Sequence, residues 1–171
     1  MVLARAAALY EIRAGKGLFV NQTQSFEPAP SGDVIKCDVV ISEASAFYPF
    51  VNVPDYLVVM SQNAYDRFVE QTGRGTIFIL DQDGVDSRPE QGYYEIPALR
   101  RAEEMGEKSS ANMIMLGALI GISGLLGEDS VRQAIAMASP SKAGTRNGRA
   151  FTEGMSIGRG RLAAEAREGS G

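Results

Sequence analysis

The sequence contains no histidine and no tryptophan, and it has a single cysteine, Cys37. Without histidine, Ser-His-Asp and Cys-His nucleophiles, imidazole general bases and His-ligated metal sites are all excluded. One cysteine cannot form an intramolecular disulfide, a four-thiolate zinc or iron–sulfur site, or a CxxC redox pair. The chain therefore lacks the residues that most enzymes use for catalysis, and this cysteine usage predicts a reducing, cytoplasmic compartment.

Long apolar runs and nucleotide-binding loops are missing too. The longest apolar stretch, 113–126, is broken by glycines and a serine and is shorter than the roughly 20 residues of a membrane span, so no span is expected. Neither GxGxxG nor GxxxxGK[ST] occurs. The net charge is -4, and basic residues are not interleaved with aromatics as in single-strand binders. We therefore predict no nucleic-acid partner.

The most informative stretch is 54–81, which predicts strand, helix, strand. Residues 56–60 and 76–80 are continuous apolar runs, the pattern of strands buried on both faces of a parallel sheet. Between them, apolar residues recur at three- and four-residue spacing over 62–71, which indicates an amphipathic helix. The sequence predicts a three-layer, Rossmann-like α/β domain with a mostly parallel sheet and helices on both faces. One domain should span 1–167, followed by a disordered tail at 168–171.

Further helices are predicted at 2–12, 97–106, 111–125, 129–138 and 148–167, and further strands at 18–23, 37–42 and 93–96. The alanine-rich helix 2–12 should pack closely on the sheet. Helix 111–125 is apolar on nearly all sides, which indicates burial. Gly117 and Gly121 within it predict a close backbone contact in the core or at a subunit interface. Cys37 is expected to be a small buried residue at the start of an apolar strand.

Polar residues that follow the predicted strands are the candidates for ligand or partner contacts, because ligands of open α/β sheets bind at the carboxyl ends of strands. The polar candidates after strands are Gln22, Gln24, Ser25, Ser61 and Gln62. The aromatic Phe26, next to Ser25, and Asn112, at the start of the buried helix, are added to them. Their amides and hydroxyls can bind a neutral or anionic group but provide neither a strong base nor an activated nucleophile. The alternative is that Ser61, like Asp81 after the next strand, only caps helix or loop backbone.

Several blocks in order resemble one family. They are Val2-Leu3-Ala4, Gln22-Thr23-Gln24-Ser25-Phe26, Asp38-Val39-Val40-Ile41-Ser42, Tyr48-Pro49, Pro54-Asp55, Ser61-Gln62-Asn63-Ala64-Tyr65, Ala111-Asn112-Met113, Leu116-Gly117-Ala118-Leu119, and Asn147 with Arg149-Ala150-Phe151. Together they are similar to the gamma subunits, or gamma domains, of 2-oxoacid:ferredoxin oxidoreductases, the pyruvate and 2-oxoglutarate synthase group. The resemblance spans nearly the whole chain.

Two features depart from that family. Its members usually carry a strand and a GGQG loop before the residues that resemble Val2-Leu3-Ala4; this sequence does not include that unit, so either the chain starts upstream or this subunit lacks it. We therefore expect an open or partner-covered strand edge near 18–23 or 39–42. The loop that usually reads YGPExRGG is 26–33 in this chain and has Ser31 in place of the arginine. Serine cannot replace a bidentate arginine, so direct contact of this loop with an anionic substrate is not expected.

The resemblance implies a complex that oxidatively decarboxylates a 2-oxoacid and usually forms an acyl-coenzyme A. Such a complex uses thiamine diphosphate with Mg, [4Fe-4S] clusters and coenzyme A, none of them held by this chain. The implied partners are alpha, beta and possibly delta subunits, with ferredoxin or another acceptor reached through the complex. The implied role is a non-catalytic subunit. The alternative from the residues alone is a stand-alone small-molecule-binding α/β protein, while the missing base and nucleophile disfavour a self-sufficient enzyme.

Overall fold

The computed structural model describes residues 18–27, 34–43, 50–87, 92–138 and 142–168. The predicted helix 2–12, residues 28–33 of the predicted loop and residues 169–171 of the predicted tail lie outside these ranges. The strands are β1 (Phe19–Glu27), β2 (Val34–Ser42), β3 (Tyr56–Val59), β4 (Ile77–Asp81) and β5 (Tyr93–Ile96). The helices are α1 (Gln62–Phe68), α2 (Ala98–Glu104), α3 (Ala111–Ser123), α4 (Glu128–Ala138) and α5 (Lys142–Glu168), with 3-10 turns at Val69–Gln71 and Lys108–Ser110.

Strands β3, β4 and β5 form a parallel sheet in that order, which confirms the α/β fold class. Side chains of β4 alternate between two apolar clusters. Phe78 and Leu80 pack with Tyr65 of α1, whereas Ile79 packs with Ile114 of α3. Because successive strand residues point to opposite faces, α1 and α3 cover opposite sides of the sheet.

Strands β1 and β2 form a separate antiparallel ribbon, so they are not part of the parallel sheet. The predicted strand 18–23 was too short, since β1 continues to Glu27 and includes residues predicted as loop. Its ladder with β2 runs from Phe19 opposite Ser42 to Glu27 opposite Val34. Backbone pairing with β2 extends this strand, and a long-range pairing of this kind leaves little trace in local composition.

Helices α3 and α5 pack closely on each other through glycines on both helices. A Cβ built on Gly121 would lie 2.8 Å from the Met155 carbonyl oxygen, and one on Gly158 would lie 2.6 Å from that of Ala118. Added Cβ atoms at Gly117 and Gly154 would collide with carbonyl oxygens of the facing helix as well. The close contact predicted from the glycine spacing is confirmed, and it lies within the core.

Helix α5 begins earlier than predicted. The sequence predicted a helix at 148–167, but the helix runs without a break from Lys142 to Glu168. Glu168, predicted as tail, is its last residue. Glycine lowers intrinsic helix propensity by about 1 kcal/mol relative to alanine. Contact with α3 offsets that cost, because Gly154 and Gly158 face α3 directly.

Substituting Gly154 by alanine should destabilise the fold by about 1–3 kcal/mol, because the new methyl group must push apart two packed helices. Gly160→Ala on the same helix is the matched control, since nothing lies within 4 Å of a Cβ at that position. The control should stabilise by about 0.5–1 kcal/mol through helix propensity. Urea unfolding measures both values, and equal effects of the two substitutions would contradict this account of the helix contact.

A charged cluster joins α4 to α5 at the start of α4. Glu128 accepts hydrogen bonds from Arg132 at 2.6 Å and from Arg159 at 3.0 Å. Arg132 also donates to Thr152 and lies 5.5 Å above the Phe151 ring. The hydrogen bond from Arg132, followed by that from Arg159, lowers the pKa of the Glu128 carboxyl below its ordinary 4.5.

The pKa of Glu128 is lower in the folded state than in the unfolded state. Its ion pairs should therefore contribute fully to the free energy of unfolding above the unfolded-state pKa, and this contribution should be lost as the pH falls through the folded-state pKa. Glu128→Gln should cost about 0.5 kcal/mol at pH 7, a value typical of exposed pairs. The difference from wild type should vanish in acid. Denaturant unfolding across pH 2–7 measures it. Asp129→Asn, in the same helical turn, is the control for the helix dipole, and an equal pH-dependent loss there would contradict the ion-pair explanation.

Candidate functional site

A cavity of about 670 Å³ lies between β2 and β3, and we call it the slot. Residues 35–41 of β2 form one wall, and β3 (Tyr56–Val59) with Met60 directly after it forms another. Phe68 of α1 contributes to a third wall, and Leu116 and Leu119 of α3 to the fourth. The slot therefore lies in the sheet layer beside the outer edge of β3, between the two helical layers.

Two charged side chains of the slot, Lys36 and Asp38, are paired with each other, and a third charged residue, Asp55, also lines it. Lys36 lies 3.0 Å from the carboxylate of Asp38, whose Oδ2 also accepts the Val51 N–H at 3.4 Å. The Lys36 ammonium lies 5.4 Å from the Phe68 ring centroid. Asn112 lines the slot from the first turn of α3 and is exposed. Because most of its lining residues are apolar and Lys36 is paired with Asp38, the slot suits an apolar group better than an ionic metabolite.

Candidates Gln22, Gln24 and Phe26 occupy one face of the ribbon, opposite Val39, Cys37 and Ile35 of β2 respectively. We call these six residues the ribbon face. Phe26 is 60% exposed and Ile35 is 68% exposed. Ser25 is exposed too and points to the opposite face. The expectation that Cys37 is buried was wrong: Cys37 is exposed, because the ribbon leaves the parallel sheet.

The near end of the ribbon is attached to the core. Val20 and Ile41 are register partners, and both pack against the cluster that contains Ile120 and Phe151. Exposure increases along β1 from Val20 toward Phe26. The distal end of the ribbon, with its Phe26–Ile35 pair, therefore projects from the body of the domain.

Ser61 and Gln62 lie where β3 passes into α1, as predicted. Ser61 occupies the N-cap position of α1 but makes no side-chain capping hydrogen bond. The alternative that Ser61 caps the helix backbone with its side chain was therefore wrong. Gln62 is engaged on both ends of its amide: Nε2 donates to Asp66 at 2.9 Å, and Oε1 accepts the Asp86 N–H at 2.7 Å. Gln62 thereby joins α1 to the segment after β4.

Asp81 ends β4 and is fully buried. Its Oδ1 accepts the Asp83 N–H at 3.1 Å, and its Oδ2 accepts the Leu99 N–H at 2.9 Å. These bonds hold the turn after β4 and the first turn of α2, so Asp81 does cap backbone, the alternative considered for this residue. Both carboxylate oxygens accept backbone bonds, so Asp81 has a structural role.

The seven candidates are divided among three places: Asn112 in the slot, Ser61 and Gln62 at the β3–α1 junction, and the remaining four on the ribbon. Sequence reasoning missed the slot as a site. The sequence feature that could have indicated the slot is the continuous apolar run of β3, Tyr56–Val59, which is typical of a central strand. Among the described strands, however, β3 has a neighbour on one side only.

The residues in the described ranges contain no cluster of three or more His, Cys, Asp or Glu side chains that could hold a metal ion. In the same part of the chain, every helix is too short or too polar to cross a bilayer.

Comparison with known proteins extends over nearly the whole chain. Residues 2–157 match the family described as pyruvate ferredoxin/flavodoxin oxidoreductase. The 2-oxoglutarate synthase subunit KorC of Methanocaldococcus jannaschii is 36% identical over 162 residues, which cover 92% of this chain and 84% of the relative. The resemblance noted from the sequence is therefore confirmed at the level of the family.

Solved structures have the same fold. The gamma subunit of a keto/oxoacid ferredoxin oxidoreductase from Geobacter sulfurreducens superposes with a TM-score of 0.75 at 24% identity, covering 93% of this chain and 88% of that one. A 2-oxoglutarate:ferredoxin oxidoreductase from Magnetococcus marinus gives 0.73 at 22% identity, where 93% of this chain matches 28% of a longer polypeptide. The chain belongs to the pyruvate ferredoxin/flavodoxin oxidoreductase family.

Proposed function

We propose that this chain is the gamma-type subunit of a 2-oxoglutarate:ferredoxin oxidoreductase complex. The observation that carries this proposal is the similarity to a 2-oxoglutarate synthase subunit along 92% of the chain. Its match to part of a longer polypeptide supports the same role, because there the fold occurs joined to further domains. The complex would oxidatively decarboxylate 2-oxoglutarate in the cytoplasm and pass the electrons to ferredoxin.

The chemistry of that reaction belongs to partner chains. One cysteine and no histidine cannot ligate a [4Fe-4S] cluster, and the buried carboxylate of Asp81 is committed to backbone N–H groups. The residues of this chain therefore do not fit a [4Fe-4S] cluster, and we assign the clusters, thiamine diphosphate with Mg and coenzyme A to the partner chains. This subunit has a structural role in assembly, with alpha, beta and delta-type chains as its partners.

We assign the partner contact to the ribbon face and the adjacent Ser25. Phe26 and Ile35 form an exposed apolar cross-strand pair, a feature typical of protein interfaces. Gln22 and Gln24 continue the same face with uncharged amides, consistent with the depletion of charge at interface centres.

Isolation of the native protein tests the proposed function. It should elute in a complex with larger subunits, together with iron and thiamine diphosphate, and the fractions should reduce ferredoxin with 2-oxoglutarate as the donor. Pyruvate in place of 2-oxoglutarate is the control for substrate class. The alternative of a stand-alone binding protein would be favoured if the chain eluted by itself and a metabolite raised the melting temperature of the isolated chain.

The ribbon contact has its own test with matched phenylalanines on one strand. Phe26→Glu should weaken assembly with the partner subunits at least tenfold, about 1.4 kcal/mol, because a charge enters the centre of an apolar contact. Phe19→Glu is the control, since Phe19 is 48% exposed at the attached end of the ribbon. Titration of labelled subunit into the partners measures both affinities. If both substitutions weaken the affinity equally, or if Phe26→Glu does not weaken it, the ribbon is not part of the interface.

A further inference from the structure

Strand β3 has the sequence of a central strand but lies at one edge of the sheet formed by the described strands. Tyr56–Val59 carries neither charge nor proline, although natural edge strands commonly use such residues to prevent unwanted pairing. Val58 is 36% exposed, whereas its register partner in β4, Ile79, is fully buried. Register partners point to the same face of a sheet, so the exposure of Val58 arises at the outer edge of β3.

The backbone of β3 directs polar groups toward that outer edge. Ile77 donates its N–H to the Asp55 carbonyl at 2.9 Å, so Asp55 and alternate residues after it turn their backbone groups toward β4. Tyr56 and Val58 lie between them and turn theirs to the opposite side, where the slot lies. Among the described strands, none pairs with that side. A row of such N–H and C=O groups is a template for pairing with another extended chain.

The slot has the dimensions of one extended chain. Residues 35–41 of β2 lie along one side of it and β3 along the other, while Phe68 of α1 and Leu119 of α3 line it from the two helical layers. The β2 wall is about 20 Å long, which corresponds to about six residues of an extended strand. A strand buried between two helical layers is apolar on both faces. The slot therefore suits a short, uncharged, extended segment.

We propose that an extended apolar arm of a partner subunit inserts into the slot and pairs with the outer edge of β3. This inference rests on the proposed complex. The proposed ribbon contact brings that partner to the slot, because Ile35 and Cys37 belong both to the ribbon face and to the slot lining. One partner covers both surfaces, so Ile35 lies in a single interface. Main-chain hydrogen bonds to β3 provide affinity, and the apolar walls select the side chains of the arm.

The helical layers restrict what can pair with β3. An edge strand of a second folded α/β domain carries its own helices, and these would meet α1 and α3, while β2 closes the far side of the slot. A free-standing arm avoids both obstacles. An arm that runs along the slot and leaves it also covers Val53 and Leu125, slot residues that are 62% and 42% exposed. Exposed apolar residues grouped in this way are typical of protein contacts.

Proline at position 58 tests the strand pairing. Val58 turns its N–H toward the slot, so Val58→Pro removes a donor for the arm and leaves the hydrogen bonds between β3 and β4 intact. Val58→Ala is the matched control, because it shortens the side chain and keeps the donor. In titrations of labelled chain into purified partner subunits, Val58→Pro should weaken assembly roughly tenfold more than Val58→Ala. The two isolated variants should melt within a few degrees of each other.

Four outcomes would overturn the proposal. Equal weakening by the two substitutions would exclude strand pairing, and assembly of the wild-type chain would then leave the proposed function in place. A large loss of thermal stability in the isolated Val58→Pro chain alone would assign the edge of β3 to a segment of this chain. Self-association of the wild-type chain that Val58→Pro abolishes would assign it to a second copy. A wild-type chain that binds no partner subunit would remove the proposed function together with this inference.

Discussion

The contact between α3 and α5 is the constraint on which the domain depends. α3 covers one face of the parallel sheet through Ile114 and Met115, and α5 reaches the core mainly by packing on α3. Glycines on both helices bring the two backbones into contact, so there is no side-chain layer that could yield to a substitution. The positions of the sheet, α3 and α5 are thereby fixed relative to one another, and the slot and ribbon are arranged around that unit.

Local sequence patterns were sufficient to predict two strands of the parallel sheet and the close helix contact. Continuous apolar runs identified β3 and β4, and glycines four residues apart in α3 indicated a close helix contact. The parallel sheet with helices on both faces followed from these patterns. Such signals are reliable because burial on both sides of a strand, or contact of two helices, restricts every residue in the segment.

Other features depend on partners distant in sequence. β1 extends to Glu27 only because β2 pairs with it, and α5 begins at Lys142 although its intrinsic propensity is poor. Cys37 is exposed because its ribbon lies apart from the main sheet. The candidate residues were placed correctly near strand ends at Ser61 and Gln62. Gln24, Ser25 and Phe26, which follow the predicted strand 18–23, are part of β1, because tertiary pairing overrides local preference.

The exposed Phe26–Ile35 pair has a consequence for the life of the free subunit. An apolar pair at the end of a projecting ribbon is accessible to any binding surface, including those of chaperones and proteases that recognise unassembled proteins. Under the proposed ribbon contact, a copy made in excess of its partners would keep this pair in water and be removed, whereas an assembled copy would hide it. The same two side chains would thus adjust the cellular amount of the subunit to the supply of its partners.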